Sequence, residues 1–325
     1  MINFELHTEI PMHMHKCFLP LLSLILVISC SGGAGRTDLA RLVDEESWEK
    51  IIEYCMDNRD SLRFADLYLG NLALANTGQL GDKAFSIKQA GSKGLIPEWG
   101  HSVESAEWLS DIYFAMGHMA MAQRMAFEAD ILDPEFNPRM MKRLVQTNIV
   151  YGEFPVAEKY LDALEKHGAY TGWVKEQRRF IGHMDLVEAD PFYGDLRRCI
   201  PAEDFISSVR GIDTDLKDII RANPEHKAAM HYLGLYYLLD LDMERFGAML
   251  DEFSGTEALD ELPLCFQEAA CMMSETGDHG YWKKIGVPPA EFRRYQDFKT
   301  RLGAGLDMDR FKDTFWYYMM KANGQ

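Results

Sequence analysis

The sequence predicts an all-α protein, an irregular array of helical hairpins behind an apolar leader. Three observations carry this. Amphipathic stretches of helical length recur from about residue 46 onward, Gly- or Pro-containing turns punctuate them, and alternating β patterns are scarce. With 325 residues, 47% hydrophobic and 26% charged, the chain can bury a substantial core and is neither disordered, collagen-like nor a small disulfide scaffold. Asp and Glu number 51 against 34 Lys and Arg, for a net charge of -17. A surface that acidic repels phosphate backbones, and no basic run offsets it locally, so nucleic acid is not an expected partner.

The long apolar run spans Phe18 to Ile28, preceded by His15 and Lys16. Its length falls within the ~7–15 residues of a signal-peptide core and short of the ~20 that cross a bilayer. The following Val27-Ile28-Ser29-Cys30 resembles the lipobox of bacterial lipoproteins. That resemblance implies cleavage before Cys30 and a diacylglycerol on its sulfur. Glu5 and Glu9 do not suit a positively charged leader start, so translation is expected to begin at Met14. The expected organisation is a signal peptide over 1–29, a lipidated flexible tether over 30–45, and a helical-repeat domain over 46–325. The tether carries no acidic run, which favours a periplasm-facing anchor over surface display.

Within the repeat domain, the clearest unit runs from Ser102 to Pro134. Apolar residues fall at Trp108, Leu109, Ile112, Tyr113 and Met116, Gly117 breaks the pattern, and Ala122, Met125, Ala126 and Ala129 resume it. The next unit repeats the frame with Leu144, Gly152, Ala157 and Leu161, and a third contains Leu233-Gly234-Leu-Tyr-Tyr237 and continues through Phe246 and Leu250. These units resemble the tetratricopeptide repeat, whose ~34-residue period combines Leu-Gly-x-x-Tyr with small residues on the second helix. Degenerate units are expected around Leu67 to Ala90, broken at Gly78, and around Phe266 to Trp282, broken at Gly277. Residues 167–222 do not fit the frame, so the array is expected to be irregular. The stretch Asp309 to Lys321 places Phe311, Phe315, Tyr318 and Met319 on one helical face, as a capping helix would.

Residues 139–173, with Ala122–Glu128, Asp190-Pro191 and Asp313–Tyr317, are similar to an uncharacterised family of Gram-negative envelope proteins with tetratricopeptide-like regions. The resemblance implies a fold and an envelope setting, and no activity.

Motifs for chemistry are sparse. No H-E-x-x-H occurs, and His226 and His231 miss the i, i+4 spacing of paired ligands, so no metal is expected. Asp307 and Asp309 read as a helix N-cap, not a calcium loop. Gly91-Ser-Lys-Gly94 lacks the phosphate-loop pattern, no G-x-S-x-G is present, and no cofactor is expected. Asp185, Glu188 and Asp190 read as a solvated interhelical turn. Cys55, Cys199, Cys265 and Cys271 read as small core residues.

The remaining candidate is the groove that first helices of stacked units create. Its expected lining is Glu104, Glu107 and Asp111, then Arg139, Lys142 and Gln146, then Ala228, His231 and Leu235. An acidic patch beside a basic one suits an extended peptide. The expected function is a lipid-anchored, non-catalytic scaffold of the bacterial envelope that binds a protein or peptide. The alternative is a carbohydrate-binding lipoprotein, with Tyr170, Trp173, Tyr236 and Tyr237 as stacking residues, or a helical-repeat enzyme with a site of scattered residues.

Overall fold

Helix caps and left-handed glycines set the element boundaries. The computed structural model describes residues 34–133, 136–202, 211–276 and 278–323, and the unit that carries the fold runs from Arg36 to Gln325. Among these residues the regular structure is helical, with an isolated Ser254–Leu259 bridge and no strand. The expected leader, Met14, Cys30 and the repeat positions Pro134 and Gly277 lie outside the described residues.

The chain enters through α1 (Ala34–Asp44), α2 (Trp48–Asp57), α3 (Phe64–Asn76) and the single turn α4 (Leu80–Lys83). The tether expected to reach residue 45 ends earlier: Leu39 and Val43, one turn apart on α1, are both buried. Their i, i+4 spacing supplies an apolar face that the preceding Gly-rich stretch lacks.

Two hairpins follow. In the first, α5 (Val103–Ala115) starts on a reciprocal cap in which Ser102 Oγ accepts from Ser105 N–H and Ser105 Oγ accepts from Ser102 N–H. Gly117, at φ +79°, turns the chain into α6 (Met119–Leu132). Fully buried Ala106, Ala122, Ala126 and Ala129 let the helices approach closely. The Ser110 hydroxyl accordingly reaches the Ala122 carbonyl at 2.9 Å. The second pair is α7 (Pro138–Tyr151), capped by Asn137 with Pro138 in its first turn, and α8 (Phe154–Glu165), reached through left-handed Gly152.

Residues 167–222 contain α9 (Thr171–Arg178), α10 (Met184–Ala189), α11 (Pro191–Arg198) and α12 (Ile212–Ala222). Asp190 caps α11, accepting from the amides of Phe192 and Tyr193. This helix returns to α7, where Arg197 donates to the Val150 carbonyl at 2.7 Å.

The C-terminal elements are α13 (Lys227–Leu239), α14 (Met243–Phe253), α15 (Leu264–Thr276), α16 (Tyr281–Lys284), α17 (Pro289–Gly303) and α18 (Phe315–Asn323). Gly234 lets α13 lie against Phe266 of α15, since a Cβ there would sit 2.1 Å from the ring. Both α13 and α15 pack on α4. Tyr318 donates to the Leu239 carbonyl at 2.6 Å, and Phe315 meets Phe85 at 5.5 Å. Arg59 donates to the carbonyls of Phe85, Ser86 and Lys312. Units of a solenoid touch only their neighbours. Here the last elements return to the first.

The final helix starts later than its sequence pattern predicts. A 3-10 turn over Asp309–Phe311 precedes it, and Thr314 Oγ1 caps it by accepting from the Tyr317 amide at 3.2 Å. Trp316, off the expected face, is fully buried and donates to the Glu268 carbonyl at 2.7 Å. With Tyr232 and Phe246 it is among the largest fully buried side chains, and burial of a phenylalanine such as Phe246 contributes ~1.5–3 kcal/mol. Cys55, Cys199, Cys265 and Cys271 are buried and unbridged. Among the described residues no helix is long and apolar enough to cross a membrane.

Candidate functional site

Helical spacing places Glu107 and Asp111 on one face of α5, and Arg139, Arg143 and Gln146 on one face of α7. Across the α5–α7 seam these residues bind each other. Arg139 Nη2 meets Glu107 Oε2 at 2.7 Å, its Nη1 meets Asp111 Oδ2, and its Nε meets Asp44 Oδ1, from the end of α1, at 3.1 Å. Arg143 Nη2 takes the other oxygen of Asp111 at 3.1 Å and its Nη1 donates to Gln146 at 3.2 Å, while its guanidinium lies 3.4 Å from the Phe114 ring centroid. Asn137 donates to Glu107 Oε1 at 2.7 Å.

Burial raises the Glu107 and Asp44 carboxyls above the usual range, against the pull of Arg139. For Arg139, burial works against the charge, and the carboxylates of Asp111, Glu107 and Asp44 outweigh it. Asp111 is 5% exposed and Arg139 21%, so the open acidic-and-basic clamp expected here is a self-neutralised ion cluster. Glu104 lies exposed one turn before Glu107.

Lys142 differs. It points from α7 towards α9, with its ammonium 5.0 Å from the Tyr170 ring centroid and 5.4 Å from that of Trp173. Such contacts are worth ~0.5–2 kcal/mol. Phe136 stacks on His167 at 3.7 Å and lies 6.1 Å from Tyr170, extending the aromatic patch. The Lys142 charge also reaches Asp44, where it helps hold the carboxylate charged.

The third group expected in the groove is largely closed, with Ala228 and His231 partly exposed. Leu235 is fully buried, and His231 packs between Gly81 and Phe266, where burial lowers its pKa to about 4. The other acidic candidates are local turns. Asp307 accepts from the Asp309 amide at 3.1 Å, Glu188 meets Arg197 at 3.3 Å, and Asp190 meets Arg179 at 3.1 Å.

Motif reasoning missed a polar corner where α5, α11 and α13 meet. Asp195 lies on α11, Cys199 four residues on caps the C-terminal end of that helix, and His226 precedes α13. His226 Nδ1 lies 2.7 Å from Asp195 Oδ2, and its Nε2 lies 3.0 Å from the Ala115 carbonyl. Asn223 Nδ2 lies 2.8 Å from Asp195 Oδ1 and 3.5 Å from Cys199 Sγ. The Sγ, a His226 nitrogen and an Asp195 oxygen fall within 4.8 Å of one another, which makes them a set able to hold a metal. Burial disfavours a charged His226 ring, but its bonds with Asp195 and Cys199 prevail and raise its pKa to about 10. Beside this corner, His118 Nε2 meets Asp215 Oδ2 at 3.1 Å, both buried, in the wall of a cavity of about 20 Å³. The legible signal was the four-residue spacing of Asp195 and Cys199. His226 lies far from them in sequence, and no linear pattern joins the three.

Together these features define an all-helical protein with a self-neutralised ion cluster and an aromatic patch on neighbouring helices. The chain belongs to a family of unknown function (DUF6057), which it matches over residues 32–322. No curated protein and no solved structure matches it.

Proposed function

We propose that this is a lipid-anchored, non-catalytic interaction protein of the bacterial envelope, held at Cys30 and facing the periplasm. It binds a protein or peptide through the α7–α9 face of a tetratricopeptide-like body. The repeat reading is supported by left-handed Gly117 and Gly152 at corresponding turns and by the small residues between α5 and α6. The anchor reading is supported by the leader and lipobox-like Val27–Cys30.

One observation carries the binding reading: Lys142 sits half-buried over Tyr170 and Trp173, while its neighbours Arg139 and Arg143 are committed to Asp111. A partner carboxylate, from an acidic side chain or a chain terminus, would complete the charge that the aromatic rings orient.

The test is crosslinking and affinity capture of the native protein from its own envelope. A stoichiometric protein partner lost in Lys142→Glu, with the helical signal intact, supports the reading. Capture unchanged by Lys142→Glu removes this face. The same rings favour a second reading, stacking on a sugar. Recovery of a glycan that depends on Trp173 and not on Lys142 would replace the peptide reading with that one.

A further inference from the structure

The corner formed by α11, the start of α13 and the end of α5 has the donors of a metal site, and we propose that Asp195, Cys199 and His226 bind one zinc-type divalent cation. The ion joins the end of α11 to the start of α13, and the His226 Nε2 bond to the Ala115 carbonyl ties that corner to the end of α5.

The donor set is the first argument. A thiolate, an imidazole and a carboxylate together suit zinc and its borderline-soft relatives, whereas magnesium and calcium take oxygen. Asp195 and the C-cap residue Cys199 stand one turn apart at the end of α11, Cys199 is fully buried, and the three donor atoms lie within 4.8 Å of one another. Donors around a tetrahedral zinc stand ~3–4 Å apart. Closing the site therefore needs the 2.7 Å contact of Nδ1 with Oδ2 to open by roughly half an ångström, and any donor separation near the 4.8 Å bound to draw in by up to about 1 Å.

The orientation of His226 is an independent argument. A carbonyl only accepts, so the 3.0 Å contact with Ala115 keeps a proton on Nε2 whether or not Nδ1 has given up its own. Metal-bound histidines have this arrangement, one ring nitrogen donating to an outer carbonyl and the other directed to the ion. Here the other nitrogen, Nδ1, faces Asp195 and Cys199. Asn223 supports the ligands from outside: its amide nitrogen donates to the Asp195 carbonyl at 2.9 Å and to Asp195 Oδ1 at 2.8 Å and lies 3.5 Å from Sγ, so the fourth position of a tetrahedral ion would fall to water.

Binding is balanced as an exchange. One divalent cation enters, Nδ1 and Sγ each release a proton to solvent, and no redox step is involved. Gly117 is part of the design, since a Cβ there would lie 2.8 Å from Sγ and press on the thiol.

The test is Co2+ titration of the full chain, reduced and freed of metal, followed by Zn2+ competition. The expected result is about one equivalent bound, with thiolate-to-cobalt charge transfer and the intense d–d bands of a four-coordinate ion. Cys199→Ser, folded by its helical signal, should lose the charge-transfer band and weaken Zn2+ binding beyond the ~10–100-fold that loss of an outer partner costs. Cys265→Ser, buried elsewhere, should change neither. Absence of the band from the wild type, or its persistence in Cys199→Ser, overturns the proposal. X-ray absorption on the wild-type zinc complex decides without any variant. One sulfur at ~2.3 Å with nitrogen and oxygen at ~2.0–2.2 Å supports it, and a shell without sulfur or with several sulfurs overturns it.

Discussion

Arg139 on α7 holds Asp44 at the end of α1 with its Nε at 3.1 Å, and the rest of its guanidinium is spent on Glu107 and Asp111 of α5. One side chain thus joins the entry helix to the central hairpins. The face expected to offer this charge to a partner has used it internally.

The partners of that arginine should differ sharply in importance. Asp111→Ala leaves two largely buried guanidiniums facing each other, so it is expected to cost ~3–5 kcal/mol in urea unfolding. Asp44, whose side chain is 60% exposed, should cost below ~1 kcal/mol when changed to Ala. Equal losses would mean that the cluster is not organised around Asp111.

Glu268 sets a pH dependence on the alkaline side. Burial raises its carboxyl from 4.5 to about 8, against the Phe315 amide at 2.7 Å and Arg294 at 3.4 Å. The folded state holds this proton more tightly than the unfolded chain does. Its contribution is therefore full below about pH 4.5 and is lost as pH rises through about 8, with a slope of at most ~1.4 kcal/mol per pH unit. Glu268→Gln should flatten that slope in denaturant titrations across the interval. An unchanged slope would assign the dependence elsewhere.

His231 acts in the opposite direction. Burial, opposed by Asp82 and aided by Lys227, lowers its pKa from 6.5 to about 4. The fold favours the neutral ring, so this contribution is present above 6.5 and is lost as pH falls towards 4. Ring resonances of His231 should titrate near the lower value in the native protein. His231→Phe should blunt the acid-side loss of stability, and titration at the ordinary histidine value would contradict the packed position.

Gly234 and Phe266 should be strongly coupled. A methyl at position 234 would stand 2.1 Å from the Phe266 ring, so Gly234→Ala is expected to cost ~1–3 kcal/mol or more. Phe266→Leu in the same chain should recover part of that loss, giving a coupling of ~0.5–3 kcal/mol in a double-mutant cycle. Additive losses would place the two helices further apart.

Local chemistry was legible residue by residue. The 3.6-residue periodicity and the breaks at Gly117 and Gly152 lie within a turn or two of the helices they delimit, so the all-α class and the central hairpins follow from sequence alone. So do the four buried cysteines, whose size and surroundings mark them as core. The partners of Glu107, Asp111 and Arg139 were not legible. A helix face states that a charge points outward from its own axis, and only packing decides whether solvent, a ligand or another helix meets it. Lys142 and Arg139 share a helix face in sequence, yet α5 and α1 neutralise one while the rings of Tyr170 and Trp173 receive the other. The return of α13 and α15 to α4, and the meeting of Asp195, Cys199 and His226, are tertiary in the same sense. They join residues far apart along the chain, whose approach depends on the summed directions of every intervening turn.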